Sequence, residues 1–190
     1  MPMRNFLIAL LALGVSLCAT CALAQTPYGI GRVATPAEVA GWNIDIGRDG
    51  SGLPPGSGTV SQGREVFEQQ CAACHGDRGQ GGIGDQLAGG QGTLAAAKPV
   101  RTVGSYWPYA PTLFDYIRRA MPQNAPQSLS NEDVYAVSAY VLNLNGLLPA
   151  DAALDAKTLA AIKMPNHDKF VGDPRPDVKN SACMSDCPRN

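Results

Sequence analysis

The sequence predicts an all-α fold, a small helical core carried within a large amount of irregular chain. Three observations predict it. Apolar residues recur at helical spacing in two stretches: Leu113, Phe114, Ile117 and Ala120, then Val134, Val137, Tyr140, Val141 and Leu144. The 190 residues include 21 Gly and 15 Pro, too many for a regular bundle or a doubly wound sheet. The most concentrated group of reactive side chains, Cys71-Ala72-Ala73-Cys74-His75, is short enough to lie on one helical turn. The length suits one compact domain with loops, since a domain averages roughly 100–200 residues. With 15 basic and 16 acidic residues, a formal net charge of -1 supplies no basic field for nucleic acid.

Residues 1–24 read as a secretory signal peptide. Arg4 precedes an apolar run from Phe6 to Leu17, and Ala22-Leu23-Ala24 forms an A-x-A cleavage pattern that places the mature start at Gln25. The run is about twelve residues, against the roughly 20 needed to span a bilayer, so an uncleaved anchor is the weaker reading. A lipoprotein reading of Cys18 or Cys21 fits poorly, because Leu17 and Thr20 stand where small residues would be expected. No later segment is long and apolar enough to cross a membrane. The expectation is an exported, periplasmic chain in an oxidising compartment.

The mature chain divides into an irregular N-terminal extension (25–59), a core domain (60–148) and a C-terminal extension (149–190). In the first, the run from Asp49 to Gly56 is too rich in turn residues for regular structure. The core opens with a helix from Ser61, as N-cap, to Cys71, with Val66, Phe67 and Gln70 on one face. Gly63 costs that helix about 1 kcal/mol relative to Ala and would let another helix approach closely. From Gly76 to Gly104 the chain is Gly-rich and reads as loop. A phosphate cradle is disfavoured there, because no strand precedes it and no Lys-Ser/Thr follows. A helix from about Pro111 to Ala120 comes next. The last core helix starts at Ser130, with an S-x-x-D capping pattern to Asp133, and stops at Asn145-Gly146. Beyond it, about Ala153 to Ile162 is an amphipathic helix candidate.

Cys71 and Cys74 with His75 form a C-x-x-C-H motif, the attachment sequence of a c-type haem. Two thiols on one turn can form thioethers to the two vinyl groups of one macrocycle, and the next residue offers its imidazole to the iron. Gly76 then lets the chain turn away. A thioredoxin-like site would want a strand before Cys71, and none is indicated. A zinc site using Cys183 and Cys187 would leave His75 unexplained. A plain disulfide is the remaining alternative.

For the sixth iron ligand the mature chain offers Met121, Met164, Met184 and His167. Pro122 biases Met121 out of helical geometry, so the helix should end there and present the thioether from a loop. Met121 is therefore the expected distal ligand. Met164, also followed by Pro, and His167 are its rivals, and Met184 suits a core-filling role. Arg118 and Arg119, one turn earlier, are candidates for a propionate or partner contact, against plain solvation. Tyr106-Trp107-Pro108-Tyr109 is expected to cover the haem or seal the core. Cys183 and Cys187 are close enough for a local disulfide. The two extensions are expected to lie on a partner protein, against the alternative of plain tails.

Cys71–His75, Met121-Pro122 and the last helix together resemble class I cytochrome c. More narrowly, Thr102–Tyr109, Leu113–Pro122, Ala125–Leu129, Asn166, Arg175–Val178, Cys183–Cys187 and the Asp49–Gly58 stretch resemble the cytochrome c subunit of periplasmic sulfane/sulfite dehydrogenases in bacterial sulfur oxidation. The resemblance implies an all-helical fold around one covalent haem c and one-electron transfer by a non-catalytic subunit. It also implies a molybdenum-cofactor dehydrogenase as electron donor and a downstream cytochrome c or oxidase as acceptor. Many relatives carry a second haem domain, whereas this chain has a single C-x-x-C-H. The alternatives are a free shuttle to a terminal oxidase and a haem enzyme acting on a sulfur compound.

Overall fold

A computed structural model describes residues 31–172 of the chain. The expected signal peptide and the Cys183/Cys187 pair lie outside the described residues. No helix among the described residues is long and apolar enough to cross a membrane.

Two units are distinguished, one up to Ile44 and one from Asp45 onward. The first contains helix α1, Pro36–Trp42, where the sequence had suggested only irregular chain. Thr35 and Glu38 form a reciprocal capping box, and Pro36 starts the helix with its backbone angle already set.

In the second unit, strand β1 (Ser57–Thr59) runs into helix α2 (Val60–Gln70), followed by a four-residue turn of helix, α3 (Ala72–His75). Helices α4 (Ala110–Ala120) and α5 (Asn131–Leu144) come next. Strand β2 (Ala153–Asp155) and helix α6 (Ala156–Ala160) complete it. β1 and β2 pair antiparallel, Gly58 opposite Leu154. The predominantly helical architecture agrees with the fold class expected.

α2 begins two residues earlier than expected. Thr59, not Ser61, is the N-cap: its hydroxyl accepts the Gln62 backbone N–H at 3.2 Å, and the Gln62 side chain accepts the Thr59 N–H at 2.9 Å. Thr59 wins because Gln62 stands three residues after it and closes the box. The buried stripe is accordingly Val60, Gly63 and Phe67. Gly63 faces α5, and Phe67 meets Tyr140 with ring centroids 5.2 Å apart.

α5 differs from the one-sided helix its periodicity suggested. Every residue from Val134 to Leu142 is buried, because α2, α4 and both strands pack around it. A helix so enclosed must be apolar on all faces, which is why its sequence reads as nearly continuous Val, Ala, Tyr and Leu. Its N-cap is Ser130, as expected.

The segment expected to be one helix from 153 to 162 is instead β2 followed by the short α6. Asp155 sets the boundary: its carboxylate accepts the Thr158 N–H at 2.7 Å, and the Thr158 hydroxyl accepts the Asp155 N–H. Nor does residue 148 bound the core. Leu154, Leu159 and Met164 are buried in the same cluster as Phe114, Tyr135 and Leu142. On the other side, Ile46 and Leu53 pack on that cluster, and Tyr135 donates its hydroxyl to the Pro54 carbonyl at 2.8 Å. These parts of both extensions therefore belong to the domain.

Candidate haem-binding site

Cys71 ends α2 and begins α3, with Cys74 and His75 donating their N–H groups to the Cys71 carbonyl at 3.1 and 3.0 Å. The motif thus lies on one turn, as its spacing predicts. Gly76 then takes φ +77, a left-handed conformation that turns the chain away. Cys71 is half-buried against the core and Cys74 is exposed; neither is in a disulfide. Burial, and behind it the neighbouring Cys74, pushes the Cys71 thiol up to about 11. A thioredoxin-like site needs a thiol shifted the other way, so the environment disfavours that reading. Among the described residues, no group of three or more His, Cys, Asp or Glu could hold a metal ion by itself.

His75 Nδ1 lies 2.7 Å from the backbone oxygen of Asp85. A carbonyl can only accept, so Nδ1 is the donor, and in the neutral ring Nε2 then keeps its lone pair. That is the tautomer an iron ligand needs. The loop fixing it is the Gly-rich stretch after the motif, where Gly81 N–H donates to the His75 carbonyl and Gly84 N–H to the Cys74 carbonyl. Sequence reasoning read this stretch as loop but missed Asp85, because a backbone carbonyl leaves no residue-type signal.

α4 ends where Pro122 predicted. Met121 is its C-cap in an extended conformation, φ -119 and ψ 143, and is half-buried against the core. Its rivals sit differently. Met164 is 1% exposed and packs within the hydrophobic core cluster. His167 Nδ1 lies 2.5 Å from the Asp168 carboxylate, and its ring meets Tyr109 edge-on at 5.2 Å.

Arg119 donates to the Asp115 carboxylate at 2.8 Å and to Asp45 at 3.1 Å, so its guanidinium is engaged by protein carboxylates. Of the aromatic run, Trp107 meets Tyr116 edge-on at 5.7 Å. Tyr106 lies beneath Arg101 and against Phe170, while its carbonyl accepts the Asn166 side-chain N–H at 2.5 Å.

Two thiols free to form thioethers and an imidazole in the ligand tautomer, all on one turn, fit a covalently attached haem. A helical domain built around such a turn is the framework of an electron-carrying haem protein. Comparison with known proteins agrees. Residues 58–141 match the family model described as cytochrome c oxidase, cbb3-type, subunit III. A chain of the sulfane dehydrogenase SoxCD from Paracoccus pantotrophus superposes with a TM-score of 0.74 at 41% identity, covering 86% of this chain and 83% of that one. Thiosulfate dehydrogenase of Stutzerimonas stutzeri (strain A1501) is 33% identical over 90 residues, 46% of this chain and only 28% of that protein's length. The chain belongs to the cytochrome c family and carries an electron-transfer domain related to those of these sulfur-compound dehydrogenases.

Proposed function

We propose that the protein is a periplasmic monohaem cytochrome c that accepts single electrons from a molybdenum-dependent sulfite or sulfane dehydrogenase and passes them to a downstream cytochrome c or oxidase. The observation that carries this is the likeness to the SoxCD chain, which extends over most of both chains. Cys71 and Cys74 would hold one haem c by thioethers, and His75 and Met121 would serve as its iron ligands. Haem c so held supplies a ferrous/ferric couple, and a thioether ligand raises its potential. The chain's own part is to fix the His75 tautomer, to end α4 so that Met121 is presented from extended backbone, and to exclude water with the core. With His75 and Met121 both serving the iron, the chain would act as an electron carrier and leave the sulfur chemistry to its partner.

Expression with haem maturation, followed by pull-down from periplasm, tests the partner. A stoichiometric molybdenum protein that reduces the haem with sulfite or a sulfane substrate is the expected result; a monomer that reduces many acceptors would mean a free shuttle. The ligands are tested by the weak red absorption band of a ferric thioether–iron bond. It should disappear in Met121→Ala and persist in Met164→Leu and His167→Ala. The dehydrogenase name of the Stutzerimonas relative favours a second reading, a haem that acts on the sulfur compound itself. A high-spin spectrum that responds to thiosulfate alone would establish that reading instead.

A further inference from the structure

Asn145, the residue that caps α5, is 7% exposed and bonded on both sides of its amide. Its Nδ2 donates to the carbonyls of Leu87 at 3.1 Å and Val141 at 2.9 Å, and its Oδ1 accepts the Gly89 N–H at 3.1 Å. The partners fix the amide orientation, since carbonyls only accept and an N–H only donates. Gly104 leaves the space for it: a Cβ there would lie 2.3 Å from Oδ1. Leu87 is two residues beyond Asp85, whose carbonyl holds His75 Nδ1 at 2.7 Å. On the near side, Gly84 N–H is tied to the Cys74 carbonyl at 2.8 Å. Gly84 also packs against the imidazole: a Cβ there would stand 2.9, 3.0 and 3.3 Å from Cε1, Nδ1 and Nε2. The Gly84–Asp85 segment is therefore held upstream by the haem-binding turn and downstream by the last core helix.

We propose that Asn145 is a positioning residue for His75, holding the Asp85 carbonyl on Nδ1 and Gly84 against the ring by anchoring Leu87 and Gly89. This rests on the reading of His75 as iron ligand given above. A hydrogen bond donated from Nδ1 makes the imidazole a stronger electron donor, which favours ferric iron. Loosening that bond shifts the couple toward ferrous. Mere loosening of the core, by admitting water to the haem, would stabilise the ferric charge and shift it the other way.

The test compares haem-loaded wild type with Asn145→Ala. In the ferrous state, exchange of the His75 Nδ1 proton with deuterium should accelerate about tenfold, while amides in the middle of α5, such as that of Val137, keep their rates. The one-electron equilibrium should shift about fivefold toward ferrous, a rise of about 40 mV at roughly 59 mV per tenfold. Unchanged Nδ1 exchange, acceleration spread evenly over α5, or a fall in potential would overturn the proposal. Asn145→Asp, which keeps the acceptor for Gly89 but loses the donor to Leu87 and Val141, should accelerate the His75 Nδ1 exchange in the same direction. Should neither variant fold, native-state exchange of the wild type decides: His75 Nδ1–H and Gly89 N–H should open together with the same denaturant dependence, and separate openings overturn it. Wild type without covalent haem would sink the haem reading itself before any variant is compared; haem present with His75 exchange unmoved would sink this inference alone.

Discussion

Gly63 of α2 lies against the carbonyl oxygen of Ala136 on α5, so close that a Cβ on Gly63 would sit 1.8 Å from it. The obstacle is backbone on both helices, so no side-chain rotation can relieve it. Gly63→Ala should destabilise the domain by about 3 kcal/mol, the upper part of the overpacking range, even though Ala is the better helix former by about 1 kcal/mol. Denaturant unfolding of the haem-loaded protein measures it as a lower midpoint with unchanged slope.

Covalent attachment gives the second prediction. Acid–acetone extraction of denatured wild type should leave the colour on the polypeptide. Cys71→Ser/Cys74→Ser should release it or never acquire it, and mass analysis should show the difference of one haem.

Asp155 gives the pH dependence. The backbone N–H of Thr158 first, and its hydroxyl second, hold the Asp155 carboxyl below the usual carboxylate range. Its folded-state value lies below its unfolded value of about 3.9, so the cap stabilises above that pH and the contribution is lost as pH falls through the folded value. Acid titration of thermal stability should show this loss, and Asp155→Asn should flatten it.

Tyr135 reaches the Pro54 carbonyl from the middle of the core. Tyr135→Phe keeps the ring against Phe114, whose centroid lies 4.4 Å away, and removes only the hydrogen bond. A loss of about 1 kcal/mol is expected, read by the same unfolding experiment.

Arg119 on α4 bridges Asp45 and Asp115, but its side chain is 36% exposed. Arg119→Ala should cost no more than about 1 kcal/mol, with the difference shrinking in high salt. A much larger change in the haem spectrum than in stability would mean that Arg119 serves the cofactor instead.

The sequence revealed those parts of the site that depend on residue type at fixed spacing. C-x-x-C-H needs one helical turn, and Met121 before Pro122 needs the helix to stop; both local geometries are present. What stayed hidden depends on backbone groups and on distant chain. Asp85 acts on His75 through its carbonyl, and Asn145 is 58 residues from Leu87, to which it donates. Ser61 has the residue type of an N-cap, but the reciprocal bond with Gln62 puts the cap at Thr59. The burial of α5 on every face could not be read from its periodicity, because it depends on strands of three residues each, too short to announce themselves.

Leu154, Leu159 and Met164, buried beneath α4 and α5, have a practical corollary for anyone cloning this protein. A fragment trimmed to the family-matched span of 58–141 would strip three aliphatic plugs from the hydrophobic interior and leave it open to water. Such a fragment should precipitate or melt early, while one running from Asp45 through Gly172 should stay in solution and take up its pigment.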